Sequence, residues 1–315
     1  MTRNRQKREA LMSSDNMAGQ LTFPVSLSTS CQMHSLPGVL TLAIDFSTIE
    51  THLNVPSMTE SEIRARLTTR ILGKKLYVFD SVDSTNARAK TLAFEGAGEG
   101  TLVITEDQSA GRGRQGRRWF SEKGKNLTFS IILAPAIPPT RLGVLSLSAG
   151  LAVAEAIQST TGLLTECKWP NDVLLNSRKV SGILSETVVR RGTILALVVG
   201  IGINVNQSSF SKELNDSATS LSLAAGSTID RLQLLSYVLG RLEFWYEKML
   251  SQEYETILKE WSGFCRIIGR TISVDHQGIQ LSGLARGIAA DGALLFQTNG
   301  KEMKLSAGDV TILQN

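Results

Sequence analysis

Residues 192–205 carry no charge, and near their end Gly200, Gly202, Asn204 and then Asn206 alternate with Ile201, Ile203 and Val205. A run of fourteen residues, three of them glycine, is short of the ~20 an apolar helix needs to cross a bilayer. No membrane span is expected. The period of two is that of a strand, with glycines and asparagines on one face and aliphatic residues on the other. The glycine face leaves room for a flat ligand, and Asn204 offers a donor and an acceptor that an adenine or amide-like ring could use. Tight packing against a helix would explain the glycines equally well, but not the asparagine.

The 315 residues are 42% hydrophobic and 20% charged, proportions of a globular chain able to bury one large or two modest cores. Charge is unevenly spread. Residues 111–125 hold Arg112, Arg114, Arg117, Arg118, Lys123 and Lys125 against Glu122, a local +5, so the rest of the chain sums to −1 of the +4 total. One loop is basic, not the whole surface, which points to a compact anion. A solvated basic loop or an RNA-type patch is the competing reading. Gly111, Gly113 and Gly116 fit G-x-G-x-x-G, but no apolar helix follows, so a Rossmann site is rejected. The glycines would instead let backbone amides approach an anion that the arginines surround.

Residues 1–57 are irregular, with a basic start and three prolines, and little order is expected. Residues 59–62 form a capping-box pattern opening a short helix through Leu72, and residues 75–79 read as a strand. Asp83, Ser84, Thr85 and Asn86 supply N-cap candidates for a helix through Phe94. Strands at 101–105 and 126–133 flank the basic loop, and an apolar helix over 141–160 is long enough to lie on the sheet. Extended segments at 166–169, 173–176, 180–187 and 194–205 precede a helical stretch over 230–264. From Cys265 short strands broken by Gln277-Gly278, Asp291-Gly292 and Asn299-Gly300 suggest a barrel-like module. The expected organisation is α+β: a leader at 1–57, a mixed-sheet domain packed with helices at 58–264, and a small β module at 265–315.

Lys168-Trp169-Pro170-Asn171-Asp172 places an extended tryptophan before two turn formers. A two-residue turn at Asn176-Ser177 would pair Leu175 with Arg178, Leu174 with Lys179 and Asp172 with Ser181. Asp172 and Lys179 would then share a face roughly 7–8 Å apart on the diagonal. An exposed hairpin lysine paired to an aspartate fits equally well. Histidines stand only at positions 34, 52 and 276, outside these segments, so Ser-His-Asp or Cys-His chemistry is improbable. Cys31, Cys167 and Cys265 lack metal-ligand spacing; no metal site is expected, and a reducing, cytoplasmic compartment fits best.

Taken in order, the motifs Asp83 to Asn86, Gln108-x-x-Gly-Arg-Gly-Arg-x-Gly-Arg-x-Trp119, Lys168 to Asp172, Arg178-Lys-Val-x-Gly-Ile-Leu-x-Glu186 and Gly200 to Val205 resemble the biotin protein ligases. The resemblance covers about residues 70–315 and implies that the closing module is that family's small SH3-like barrel. It implies a two-step reaction in which biotin and Mg-ATP give biotinyl-5′-AMP and pyrophosphate, and the acyl group then passes to a lysine of a biotin carboxyl carrier protein, an acetyl-CoA carboxylase subunit or similar. Ser84, Thr85, Asn86, Gln108, Arg112, Gly113, Arg114 and Lys179 would meet biotin. Arg117, Trp119, Asn171 and Asn204 would meet the nucleotide. Lys179 would bridge the biotin carboxyl and the α-phosphate, with Arg114 beside it, and Asp172 is offered as proton acceptor in the transfer step. Residues 207–226 would supply a mobile cover. The leader shows no helix–turn–helix pattern, so a monofunctional ligase without nucleic acid or membrane partners is expected, with room for a homodimer. Two alternatives stay open: a biotin-responsive regulator or nucleic-acid-binding protein, and a lipoate or octanoate ligase or transferase.

Overall fold

The computed structural model describes residues 57–276 and 278–313, so the expectations for the leader before Ser57 lie outside the described residues. The elements are α1 (Glu60–Arg66), β1 (Leu76–Phe79), α2 (Thr85–Phe94), β2 (Leu102–Thr105), β3 (Leu127–Leu133), α3 (Leu142–Thr161), β4 (Thr165–Lys168), β5 (Asp172–Leu175), β6 (Arg178–Arg190), β7 (Thr193–Ile203), α4 (Leu221–Ala225), α5 (Arg231–Leu250) and α6 (Tyr254–Phe264). Then follow β8 (Thr271–His276), β9 (Ile279–Ile288), β10 (Leu294–Thr298), β11 (Lys301–Leu305) and β12 (Asp309–Ile312).

The first seven strands form one mixed sheet in the order β1-β2-β3-β7-β6-β5-β4, parallel only between β1 and β2. The charge-free run becomes β7, near the middle of this sheet, and its two faces have different fates. Leu197, Val199, Ile201 and Ile203 join the main core with α3, α5 and α6, whereas Ala196 and Val198 pack under α2 with Ala89, Leu92 and Ala93. The helix α2 ends its cover there. Gly200, Gly202 and Asn204, farther along the same face, are left to line a cavity.

Pro139–Thr161 is apolar and long enough to cross a membrane by length and composition. Its side chains instead bury against the sheet, α5 and α6, and Gly162 in the left-handed region (φ 71°) ends α3. Two helix boundaries differ from expectation. The capping box at Thr59 and Glu62 forms, but the helix stops at Arg66, because the amides of residues 70–72 find an acceptor off the helix. The N–H groups of Arg70, Ile71 and Leu72 donate to the Glu243 carboxylate at 2.7, 2.7 and 2.9 Å. The stretch 230–264 is likewise two helices, broken where Gln252 adopts φ 61°. A straight helix continuing past the ~30 Å that twenty residues span would carry Ile257 and Trp261 away from the core they join.

The C-terminal module is a five-stranded antiparallel sheet in the order β11-β10-β9-β8-β12, with its two outer strands not paired to each other. It shares the main apolar core. Trp169 is buried at the junction and its Nε1 donates to the Gly292 carbonyl at 3.0 Å. Cys167 and Cys265 form a backbone bridge there as free, buried thiols, whose burial pushes both above the usual thiol range.

Glu243 yields a pH signature. Burial (7% exposed) by itself would raise its pKa, but the three amide donors outweigh it and hold the carboxyl below its usual value. A lowered folded pKa means the stabilisation is complete above the ordinary glutamate value of ~4.3 and is lost as pH falls through the folded one. Glu243→Gln is expected to lower unfolding free energy by about 1–2 kcal/mol at pH 7, with the difference from the parent shrinking below pH ~4. Urea unfolding at several pH values measures both.

Candidate active site

All thirteen candidate residues read from the sequence line one cavity of about 530 Å³. That volume is in the range of small-ligand sites. At one end Ser84 caps α2, its Oγ accepting from the Ala87 amide at 3.5 Å. The Thr85 amide and hydroxyl donate to Gln108 Oε1 at 2.8 and 3.2 Å. Ser130 Oγ lies 2.6 Å from Asn86 Oδ1 and 2.8 Å from Thr85 Oγ1, and Asn86 Nδ2 donates to Leu184 O at 3.1 Å and Glu186 Oε2 at 2.8 Å. Lys90 pairs with the second oxygen of Glu186. Within this cluster the side chains of Thr85, Asn86 and Ser130 satisfy one another and their neighbours, which offsets the cost of burying them.

The glycine face of β7 is not bare, which corrects the expectation of a vacant platform. A Cβ on Gly200 would stand 2.0 Å from Asn86 Oδ1, and one on Gly202 would stand 2.4 Å from the Trp119 indole. The glycines admit these two side chains. A flat ligand must therefore meet Trp119 rather than naked backbone.

The basic loop folds back on itself as a small hairpin, with Gly113 N donating to Arg117 O at 2.7 Å and Trp119 N to Gly111 O at 3.0 Å. The loop glycines serve this turn as well as any ligand: a Cβ on Gly111 would meet Trp119 O at 2.5 Å, and Gly116 sits at φ 75°. Of the six cations, Arg112, Arg114, Arg117 and Arg118 line the cavity, whereas Lys123 turns away to Asp80 at 2.6 Å. Arg114 Nη1 donates to Asn171 Oδ1 at 3.0 Å. Burial lowers the Arg114 pKa, against the opposing pull of Asp309 and Asp172. Arg117 Nη2 lies 2.6 Å from both oxygens of Asp309, the first residue of β12.

The hairpin at Asn176-Ser177 has the expected two-residue turn, both residues at positive φ, and pairs Leu175 with Arg178 and Leu174 with Lys179. Beyond Leu174 a bulge shifts the register, so Asp172 pairs with Gly182 rather than Ser181. The bulged residue is Val180, whose carbonyl accepts from Asn204 N at 2.9 Å. Lys179 beside it donates its amide to Ser217 O at 2.8 Å and accepts from Thr219 N at 2.9 Å. The side chain then closes directly on Asp172, Nζ to Oδ1 at 2.6 Å. The same segment brings Phe210, Leu214, Ser217 and Ala218 to the cavity wall.

Asn171 accepts from Arg114 and donates to the Ile183 carbonyl at 2.8 Å, which leaves one N–H and one lone pair of its amide for a further contact. Asn204 donates to Thr219 O at 3.0 Å, but its Oδ1 is buried with no partner among the described residues, in a side chain 4% exposed. An unpaired buried amide oxygen costs about 1–3 kcal/mol, and Asn204 brings this acceptor to the cavity wall. Sequence reasoning passed over Lys168 and Asp309, which also line the cavity. Lys168 lay inside a quoted motif, whereas nothing local to Asp309 marks it, since only the packing of the C-terminal module delivers it.

No group of three or more His, Cys, Asp or Glu side chains is arranged to hold a metal among the described residues. Asp172, Asp216 and Asp309 do face the cavity.

Residues 78–204 match the biotin/lipoate A/B protein ligase family. The bifunctional ligase/repressor BirA of Bacillus subtilis is 38% identical over 257 residues, covering 81% of this chain and 79% of that protein. The biotin–acetyl-CoA-carboxylase ligase of Mycobacterium tuberculosis is 32% identical over 266 residues, 82% of this chain and 97% of that one. The structure of the biotin protein ligase from Aquifex aeolicus in complex with biotin and ATP aligns with a TM-score of 0.68 at 31% identity, covering 77% of this chain and 100% of that chain. With the fold, the motifs and the cavity in agreement with these relatives, the chain belongs to the biotin/lipoate A/B protein ligase family, among its biotin protein ligases.

Proposed function

We propose that this chain activates biotin with ATP to biotinyl-5′-AMP and transfers biotin to a lysine of a biotin carboxyl carrier protein. The observation that carries the reading is that one cavity gathers a buried hydroxyl and amide cluster, the basic loop and the Lys179–Asp172 pair. The relatives' names support biotin over lipoate and acetyl-CoA carboxylase as the source of the carrier. The free, buried Cys167 and Cys265 suit a reducing cytoplasm.

Biotin's carboxylate, with a pKa near ~4, is ionised at pH 7, so adenylation needs no base. It needs anions gathered and developing charge stabilised. Ser84, Thr85, Asn86 and Gln108 frame the ring end, and Arg112, Gly113 and Arg114 stand where the tail and phosphate pass. Lys179 exchanges Asp172 for the biotin carboxyl oxygen and the α-phosphate. Asn204 Oδ1 takes a donor from adenine, with Asn171 beside it and Trp119 packed on the ligand. Arg117 exchanges Asp309 for the outgoing pyrophosphate. Mg²⁺ enters as part of the substrate: it keeps several waters and binds through one or two carboxylates plus phosphate, which suits the cavity-facing aspartates better than a protein cage would. In transfer, Asp172, freed from Lys179, accepts the proton lost by the carrier lysine.

Biotin-dependent exchange of pyrophosphate into ATP tests the first step. The parent protein should show exchange with biotin and none with lipoate or octanoate, and Lys179→Ala and Arg114→Ala should each lower the rate by about a hundredfold or more. Asn204→Leu removes the orphaned acceptor and is expected to raise the KM for ATP about tenfold while calorimetric affinity for biotin holds. Asp172→Asn should slow transfer from preformed adenylate by about a hundredfold, and a transfer rate equal to the parent's would remove Asp172 from that step.

A further inference from the structure

Lys168 closes β4 and stands directly across the ladder from Asp172, so the two side chains share a face, and both line the cavity. Among the described residues Lys168 forms no ion pair: Asp172 is held by Lys179 and Asp309 by Arg117, each at 2.6 Å. Burial lowers its pKa, and nearby Lys179 and Arg117 act in the same direction against Asp172 and Asp309. A half-buried cation between two occupied ion pairs is an expensive placement unless an anion comes to it.

The sheet order says which anion. The Thr85, Asn86 and Ser130 cluster stands over β3 and β7, Lys179 and Asp172 lie on β6 and β5, and Lys168 lies on the edge strand β4. With strands ~4.8 Å apart, the floor runs about 14 Å from β7 to β4. In phosphoryl-centre displacement the attacking and leaving oxygens are roughly in line. If the ring of biotin sits toward β7 and Lys179 meets the α-phosphate, the carboxylate attacks from the β7 side and the leaving group points to β4.

We propose that Lys168 binds the β- and γ-phosphates of ATP and stabilises the pyrophosphate as it departs. This rests on the adenylate-forming reading of the site. The carboxylate oxygen of biotin bonds to the α-phosphorus, the bond from that phosphorus to the oxygen bridging to the β-phosphate breaks, and that oxygen keeps the electron pair. Lys168 donates hydrogen bonds to the resulting anion and keeps its own proton. Arg117, once released by Asp309, shares the load from the loop side.

The test separates the two half-reactions in Lys168→Met, which keeps the apolar stem, and Lys168→Arg, which keeps the charge. In Lys168→Met the KM values for ATP and for pyrophosphate in exchange should each rise about tenfold or more, the span of a lost charge-assisted contact. Transfer to the carrier from preformed biotinyl-5′-AMP, which lacks the two outer phosphates, should stay near the parent rate, and Lys168→Arg should recover most of the exchange. A direct reading comes from pyrophosphate alone: it should raise the parent's Tm and raise that of Lys168→Met less. Equal Tm shifts, unchanged exchange kinetics, or a transfer loss as large as the exchange loss would each overturn the assignment. Absence of exchange in the parent would instead overturn the adenylate reading itself.

Discussion

Positive charge brought together in a half-enclosed space repels itself, and its arrangement here depends on how that repulsion is offset. At the surface two like charges a few ångströms apart oppose each other by roughly 1–4 kcal/mol, depending on the local dielectric. Arg112, Arg114, Arg117, Arg118, Lys168 and Lys179 all face one cavity. Asp172 and Asp309 each hold one of them at 2.6 Å, and Asn171 supplies a neutral acceptor to a third. These contacts offset the repulsion within the site and are also the contacts that anionic substrates would replace. An exposed pair such as Arg117 with Asp309 is worth little on its own, which suits an interaction made to be exchanged.

The fold meets this demand by building a floor and leaving part of it uncovered. On one face β7 is sealed by α3 and its neighbours; on the other, α2 covers Ala196 and Val198 and stops. From Gly200 onward the strand has lost its side chains, and Asn86 and Trp119 approach the backbone more closely than any Cβ would allow. The polar cap of α2 thus lies at the cavity's edge because the helix begins where the apolar cover ends. Ser84, Thr85 and Asn86 serve as helix start and as cavity wall at once.

The C-terminal module is part of the same design. Trp169 anchors it through Gly292, and the neighbouring residues in the chain, Lys168 on one side and Asn171 and Asp172 on the other, face the cavity. Asp309 returns from that module to meet Arg117. One short motif therefore both pins the two sheets together and presents charge to the site, and loosening the junction would move both.

Periodicity, capping residues and local charge made most of the elements legible in the linear chain, and the ordered motifs marked most of the side chains that line the cavity, though not Asp309. The alternation in residues 192–205 marked β7, Ser84 marked the start of α2, and the +5 loop marked one wall of the cavity. Helix ends were less legible, since the stop at Arg66 depends on Glu243, distant in sequence. The bulge next to Lys179 places Val180 against Asn204, distant in sequence, and the role of the β7 glycines depends on Asn86 and Trp119. Local pattern determined where the helices, turns and the charged loop begin, because caps, turns and charge runs act over a few neighbours. Packing decided their distances and partners, because a buried donor or charge is satisfied by whatever the fold brings beside it, however far away it lies along the chain.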